Sequence, residues 1–567
     1  MNRQLLVISI GPVQSFIAAA RKTEDLWSGS HLLSHLARKA IEFLFQKGEE
    51  QHRQVEMVYP AVTRDDLAKS GSQRERDAAS LPNRFVALIE GAPREVAELA
   101  RQTEEEVRKE LIRLCHEAIR RVFPKDMEKT GLYQQAEKQV DSSLEFFWAL
   151  ENLPDDRSFE EARLKVEKRL AAVKNNRSYP QHDQCGLICT ICGERDALCG
   201  ETPDADDPIG EMRRQLRKTW DNRTSPFRQY EGAEEGEGRI RNGEFLCALC
   251  LCKRALRELF EKKPFPSVHK IARGQTYYAI LMMDGDDMGQ WISGEKALDK
   301  CTVRNPLDTY REISRRLSRF AKHTVPNIVE EYDGELVYAG GDDVLAFVPF
   351  YNALPLARKL RQAFSDSGQG LDAKATASMG IVIAYCKDPL YHMLNRVRGL
   401  EKRAKSFRRK NGSSKDAFAL AYLARSGEQR EVVLPWLLDP QKPDEWTTSH
   451  LEYLMDSVKS EISSTFLFTF SQSFLPLLPR KEEREEGKLS VFEEGDPRNE
   501  ELLEVELKRL LRRALKESAR EAQAEFLAKS LVKLHRVVPT SFQFIQLLEI
   551  LRSLGVKERE GISAATG

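Results

Sequence analysis

The segment Glu335-Leu-Val-Tyr-Ala-Gly340-Gly341-Asp342-Asp343-Val-Leu-Ala-Phe-Val348 sets two apolar, β-type runs either side of two glycines and two aspartates. Glycines allow a tight hairpin and leave no side chain over the turn, so a phosphate-sized group can approach the backbone. Neighbouring carboxylates at such a tip are costly to bury unless a divalent cation neutralises them. A second acidic cluster, Asp284-Gly285-Asp286-Asp287-Met288-Gly289, closes the apolar run Tyr277–Met283. If that run is the first strand of a ferredoxin-like unit, it lies beside the hairpin, and Asp284, Asp342 and Asp343 meet at one sheet edge. Three carboxylates, with the Gly285 carbonyl as a further oxygen, suit magnesium or manganese, whose remaining ligands come from substrate phosphates. Two such ions about 3.5–4 Å apart activate an attacking hydroxyl and stabilise a departing pyrophosphate. That is the chemistry of nucleotidyl transfer. Lys405 and Arg408, on or just after a later helix, are placed to reach triphosphate oxygens, with a solvated role as the competing reading. Asp286 and Asp287 are equally readable as turn or cap residues.

Cys189-Thr-Ile-Cys192 and Cys247-Ala-Leu-Cys250 carry the two-residue gap that turns both thiolates toward one ion. Two such pairs supply a closed tetrahedral zinc site, structural rather than catalytic. In small peptides such a site contributes about 10–16 kcal/mol, enough to replace the core of a loop-rich segment. Cys185 and Cys252 lie close enough to exchange with the ligands; Cys115, Cys301 and Cys386 read as isolated and buried. Ten cysteines are too dilute for a disulfide scaffold, which points to reduced thiols and the cytoplasm. The doublet His182-Asp183 lacks the surrounding histidines that a phosphohydrolase would need, and is assigned to a linker or a stray ligand near the zinc.

The elements that must hold these groups follow from hydrophobic period. Residues 4–10, 55–62, 84–89 and 143–150 read as strands, and 14–46 and 95–122 as amphipathic helices. Their order is the split β-α-β-β-α-β pattern. It recurs from Thr276: strand Tyr277–Met283, helix Asp308–Tyr332, hairpin strands Glu335–Ala339 and Val344–Val348, helix Leu354–Ser365, strand Thr376–Ala384, helix Leu390–Lys410 and strand Ala417–Leu423. After about residue 430 strands are expected to stop, and Glu500–Leu534 carries Leu503, Leu507, Leu510, Leu511, Ala514 and Leu515 at helical spacing, within a small helical bundle. The chain of 567 residues thus divides into 1–155, 156–270, 271–430 and 431–567. The fold class is α+β: two ferredoxin-like palms, a zinc-binding module around the acidic insert Glu231–Gly238, and a C-terminal helical bundle. Lysine plus arginine equals aspartate plus glutamate, at 88 each, which argues against coating nucleic acid through bulk charge. No run is long and apolar enough for a membrane span. Gly11-Pro12 interrupts the N-terminal apolar run too early for a secretory signal.

Taken together, the motifs resemble a known family. Ile8-Ser-Ile-Gly-Pro-Val-Gln-Ser-Phe-Ile17, Ala20-Arg-Lys-Thr-Glu-Asp-Leu-Trp-Ser-Gly-Ser30 and Leu81-Pro-Asn-Arg-Phe-Val86, followed by the cysteine pairs and the two acidic clusters, resemble the Cmr-type large subunit of type III CRISPR effector complexes. The resemblance implies a palm-domain cyclase that guide RNA and matched target RNA switch on to convert ATP into cyclic oligoadenylate, within a complex of other Cmr subunits. It maps the catalytic aspartates to Asp284, Asp342 and Asp343 and the hairpin glycines to Gly340 and Gly341. It places the nucleotide pocket between the palms, near Gln14, Ser15 and Ser378-Met-Gly380. Many relatives carry an HD nuclease ahead of the first palm. This chain begins with the palm, so DNA cleavage is not expected of it. Joining ATP to S-adenosylmethionine is the alternative product, and a catalytically silent scaffold the alternative role. A diguanylate cyclase fits poorly: Val344 stands where an aromatic is expected, no Arg-x-x-Asp motif precedes Gly340, and the second palm and zinc module are foreign to it.

Overall fold

A computed structural model describes residues 3–69, 81–123, 130–176, 185–201, 207–221, 240–241, 243–256, 265–299, 305–409, 412–460, 462, 464–474, 497–515 and 520–566. His182, Asp183, Cys301, the insert at 231–238 and the charged run at 481–487 lie outside the described residues. The chain divides into two compact units. One comprises Met1–Ser267, Asp287–His323 and Val337–Gly341, the other Val268–Asp286, Thr324–Leu336 and Asp342–Gly567.

The first unit begins with β1 (Arg3–Gly11), buried along almost its whole length because Leu5, Leu6, Val7, Ile8 and Ile10 leave it no polar face. There follow α1 (Gln14–Ala18), α2 (Thr23–Glu50), β2 (Val55–Tyr59), β3 (Arg84–Glu90), α3 (Pro93–Val122), α4 (Thr130–Ser143), β4 (Glu145–Leu153), α5 (Phe159–Asn175) and α6 (Ala248–Ala255). The sheet order is β2-β3-β1-β4, with β1 antiparallel to both neighbours, as the split pattern requires. α3 turns a stripe of Val96, Leu99, Val107, Leu111 and Leu114 inward. On another face α5 supplies Val166 and Leu170 to a core with Leu5, Val7, Val86 and Leu88, which Leu307 and Tyr310 of α7 (Pro306–Arg319) complete.

Two expected helices are broken. The run 14–46 parts into α1 and α2, because the Asp25 carboxylate accepts the amides of Arg21 and Lys22, each at 3.2 Å, and starts a new helix there. The run 308–332 ends at Arg319, passes through a π-turn at Phe320–Thr324 and resumes as α8 (Val325–Glu331). Pro326 has no amide to continue the first helix and instead sits at the start of the second.

The second sheet and its helices comprise β5 (Tyr277–Gly285), β6 (Glu335–Ala339), β7 (Val344–Pro349), α9 (Ala353–Phe364), β8 (Ala377–Tyr385), α10 (Leu390–Ser406), β9 (Ala417–Leu423) and β10 (Gln429–Pro435). Its order is β10-β9-β8-β5-β7-β6, the same split arrangement extended by β9, parallel to β8, and β10, antiparallel to β9. β10 corrects the expectation that strands end near residue 430. Its outer half, Gln429-Arg-Glu431, is polar and Pro435 closes it, features of an edge strand that hid it in the sequence. Beyond it the described residues form the helices Thr447–Ser460, Ser464–Phe474, Pro497–Ala514, Arg520–Val537 and Ser541–Thr566.

Candidate functional site

In the second unit the pairing Met283 to Val344 sets the register of β5 against β7. One residue further lies Asp284, near the end of a strand whose apolar side chains fix its depth in the sheet. Asp284, Asp342 and Asp343 each offer a carboxylate oxygen within 4.8 Å of the others, a spacing one cation can span. Burial pushes the Asp342 carboxyl up to about 7, with the Asp343 charge adding to it, while its own amide and that of Gly285 oppose the rise. Burial raises Asp343 to about 6. Carboxyls held near neutrality by crowding and burial are what a divalent cation relieves. The Gly285 amide thus faces Asp342, next to the carbonyl the sequence nominated as a ligand.

Lys405, on α10, forms an ion pair with Asp284 and lies 3.6 Å from Glu401 one turn earlier. Burial and the Lys415 charge lower its ammonium to about 8. Glu401 was not anticipated. Burial first, and the Asp343 charge second, raise it to about 7. Its signal was present as the i, i+4 spacing to Lys405. α10 approaches β8 at Gly380, where a Cβ would stand 2.3 Å from the Val397 carbonyl and 2.7 Å from the Glu401 amide.

Asp286 is a brace. It is buried, and accepts the hydroxyls of Thr376 (2.9 Å) and Ser378 (2.8 Å) and the amide of Asp416 (3.0 Å). Ser378, nominated as a pocket neighbour, is itself fully buried with its hydroxyl committed to that carboxylate. Asp287 adopts a left-handed backbone and pairs with Lys296 at 2.9 Å rather than capping the next turn. Arg408 is exposed and donates to the Phe407 carbonyl.

The two hairpin glycines differ. Gly341 has φ +113°, and a Cβ there would lie 3.0 Å from the Tyr59 hydroxyl, whereas a Cβ at Gly340 would meet nothing within 4 Å. Tyr59, unmarked in the sequence, donates to the Gly340 carbonyl at 3.4 Å. Gln14 and Ser15 open α1 in the first unit and are exposed.

Cys189, Cys192, Cys247 and Cys250 converge, with all four sulfurs within 4.8 Å of one another. Gly193, at φ +66°, turns the first knuckle so that its amide reaches the Cys189 carbonyl. In the second, Cys247 caps α6 and its sulfur accepts the Cys250 amide at 3.5 Å. Hydrogen bonds from Cys189, Cys247 and Cys250 hold the Cys192 thiol far below its ordinary range. The donor set and closure fit zinc. Cys185 and Cys252 are not part of the cluster. Cys115 is buried as expected but not isolated: its thiol faces that of Cys252.

Residues 277–414 match the family described as Cas10/Cmr2, second palm domain, and residues 5–116 match CRISPR-associated protein Cmr2, N-terminal. The Cmr2 subunit of the Pyrococcus furiosus Cmr system is 26% identical over 562 residues, which cover 76% of this chain and 63% of that protein. The chain therefore spans less than two thirds of the length of that relative. The single-strand-specific deoxyribonuclease Cas10/Csm1 of Streptococcus thermophilus is 28% identical over 142 residues, a quarter of this chain and 18% of that one. A type III-B Cmr-beta structure in the apo state superposes with a TM-score of 0.65 at 14% identity, covering 98% of this chain and 82% of its own. The same assembly bound to cognate target RNA gives 0.63 at 13% identity, covering 98% and 83%.

In fold, carboxylate site and matched segments the chain is similar to proteins of the Cas10/Cmr2 type. Within that class, the chain resembles the Cmr-type large subunit of type III-B CRISPR systems.

Proposed function

We propose that this chain is the nucleotidyltransferase subunit of an RNA-guided type III complex, making cyclic oligoadenylate from ATP when target RNA is bound. The observation that carries this reading is the meeting of Asp284, Asp342 and Asp343 at the end of β5, with Lys405 beside them. A magnesium or manganese ion held by those carboxylates would supply charge neutralisation for the triphosphate and the departing pyrophosphate. Lys405 would leave Asp284 for phosphate oxygens when the cation takes its place. The open space over Gly340 leaves the hairpin backbone accessible to a phosphate. Gln14 and Ser15 are assigned to nucleotide contacts on the family resemblance. Guide RNA, target RNA and other Cmr subunits are the partners this reading requires, with the cytoplasm as its compartment. Among the described residues no helix is long and apolar enough to cross a membrane.

The test is the assembled complex incubated with target RNA, ATP and magnesium, its products resolved by mass spectrometry with and without S-adenosylmethionine. A ring of adenylates, lost in Asp342→Ala/Asp343→Ala, is the expected result. No adenylate product from the intact protein leaves a scaffold role, and undiminished product from the variant removes the aspartates from the chemistry.

A further inference from the structure

Two cations lie buried in the first unit on the helix that carries half of the cysteine centre. Lys253 is 1% exposed and Arg254 0% exposed. A buried charge is retained only where its partners are held in place. Arg254 binds both oxygens of Asp25, through Nε and through Nη2 at 2.7 Å, and reaches Glu244 through Nη1 at 3.0 Å. Lys253 binds the Phe16 carbonyl at 2.9 Å and the Ala19 carbonyl, and lies 4.7 Å from the Phe16 ring centre. Those carbonyls belong to the C-terminal end of α1, where the helix dipole favours a cation. Asp25 is the residue that starts α2. Both ends of the break between α1 and α2 are thus tied to one turn of α6.

The opposite end of α6 is tied to the cysteines. Cys247 caps it and Cys250 lies in its first turn. α6 is eight residues long, and a helix of that length has little stability of its own in water. It is buried along its whole length, packed on α2, α3 and α4, and its two ends are gripped in addition by the cysteines and by the ties to α1 and Asp25. Four sulfurs within 4.8 Å cannot all ionise without a cation between them. With the ion bound, the first turn is fixed and the cations at the far end are held against α1 and Asp25.

We infer that Lys253 and Arg254 are positioning residues through which metal occupancy at the four-cysteine centre sets the conformation of the segment Gln14–Asp25. That segment contains Gln14 and Ser15, so any effect on nucleotide affinity rests on their proposed role. The coupling itself does not depend on that role.

The experiment is amide hydrogen exchange on the full chain: zinc-loaded, stripped by a chelator, and as the zinc-loaded variants Lys253→Met and Gly29→Ala. Gly29 lies in α2, where a Cβ would stand 3.1 Å from Cδ of Lys253, 3.6 Å from Cα of Ile17 and 3.8 Å from the Phe16 ring, so this variant presses on the contact between Lys253 and the segment without altering charge or thiol. Amides of residues 16–25 are expected to exchange about tenfold faster on chelation and in Lys253→Met, and by a smaller factor in Gly29→Ala. Amides of β5 and β7 keep their rates, and Lys253→Met retains one zinc by elemental analysis. Unchanged exchange over 16–25 on chelation overturns the inference, even if Lys253→Met fails to fold. Faster exchange with undiminished binding of a fluorescent ATP analogue keeps the coupling and removes Gln14 and Ser15 from the nucleotide site.

Discussion

A cation bound by Asp284, Asp342 and Asp343 displaces protons, and the structure sets how many and at what pH. Burial holds Asp342 near 7, with the Asp343 charge contributing, and Asp343 near 6. At pH 8 both are ionised; at pH 6 Asp342 is about nine-tenths protonated and Asp343 about half. A cation that needs both carboxylates therefore binds about twentyfold more weakly at pH 6 than at pH 8, or about 1.8 kcal/mol. Lys405, held near 8 by burial, acts in the same direction, since its charge competes for Asp284. The sign for stability is the reverse of that for an ordinary salt-bridged aspartate. A carboxyl raised on folding keeps its proton longer in the folded chain, so the metal-free protein loses stability as pH climbs from the usual carboxylate range to about 7. A bound cation removes that loss, and manganese should raise the melting temperature more at pH 8 than at pH 6. The assay is a manganese titration of the intact protein at pH 6, 7 and 8, read by electron paramagnetic resonance. In Asp342→Asn one titrating group is gone, and the pH 6 to pH 8 ratio should shrink to about twofold. An affinity flat across this range, or an unchanged ratio in Asp342→Asn, refutes the reasoning.

Other outcomes follow from the same geometry. Gly341→Ala should cost about 1–3 kcal/mol in chemical denaturation, from its positive φ and the Tyr59 hydroxyl, whereas Gly340→Ala should fold normally and lose product formation. Asp286→Ala strands two hydroxyls and an amide and should lower stability by about 2–4 kcal/mol, with manganese stoichiometry at the triad unchanged. Cys250→Ser should abolish bound zinc in elemental analysis while β5 and β7 keep their amide protection.

The strands were readable because their apolar runs are short, β-branched and bounded by glycine or proline, and the two split sheets follow from their order. Asp284, Asp342 and Asp343 were readable for the same reason: Asp284 directly follows such a run and Asp343 directly precedes one, with Asp342 beside it, so strand register brings them together. Helix ends were less so. The break at Ala19–Lys22 depends on Asp25 accepting amides and being clamped by Arg254, more than two hundred positions away, and no local period reports that. The break at Phe320 was signalled by Pro326, but proline at the start of a new helix and proline inside a kinked one look alike in sequence. Ser378 fits the motif of a ligand contact, yet a buried carboxylate claimed its hydroxyl. Glu401 and Tyr59 were missed because one looks like a surface helix residue and the other like an ordinary strand aromatic.

Gly380 has a consequence of its own. Because β8 presents only a hydrogen there, α10 can rest its backbone directly on the strand, and the seating of that helix fixes how far Lys405 extends toward Asp284. Any larger residue would act as a shim, lifting the helix and drawing the ammonium out of range while Asp284, Asp342 and Asp343 stayed where they are. The gap between the positive and negative sides of this cleft is thus gauged by a missing methyl group on a strand that contributes no charge to it.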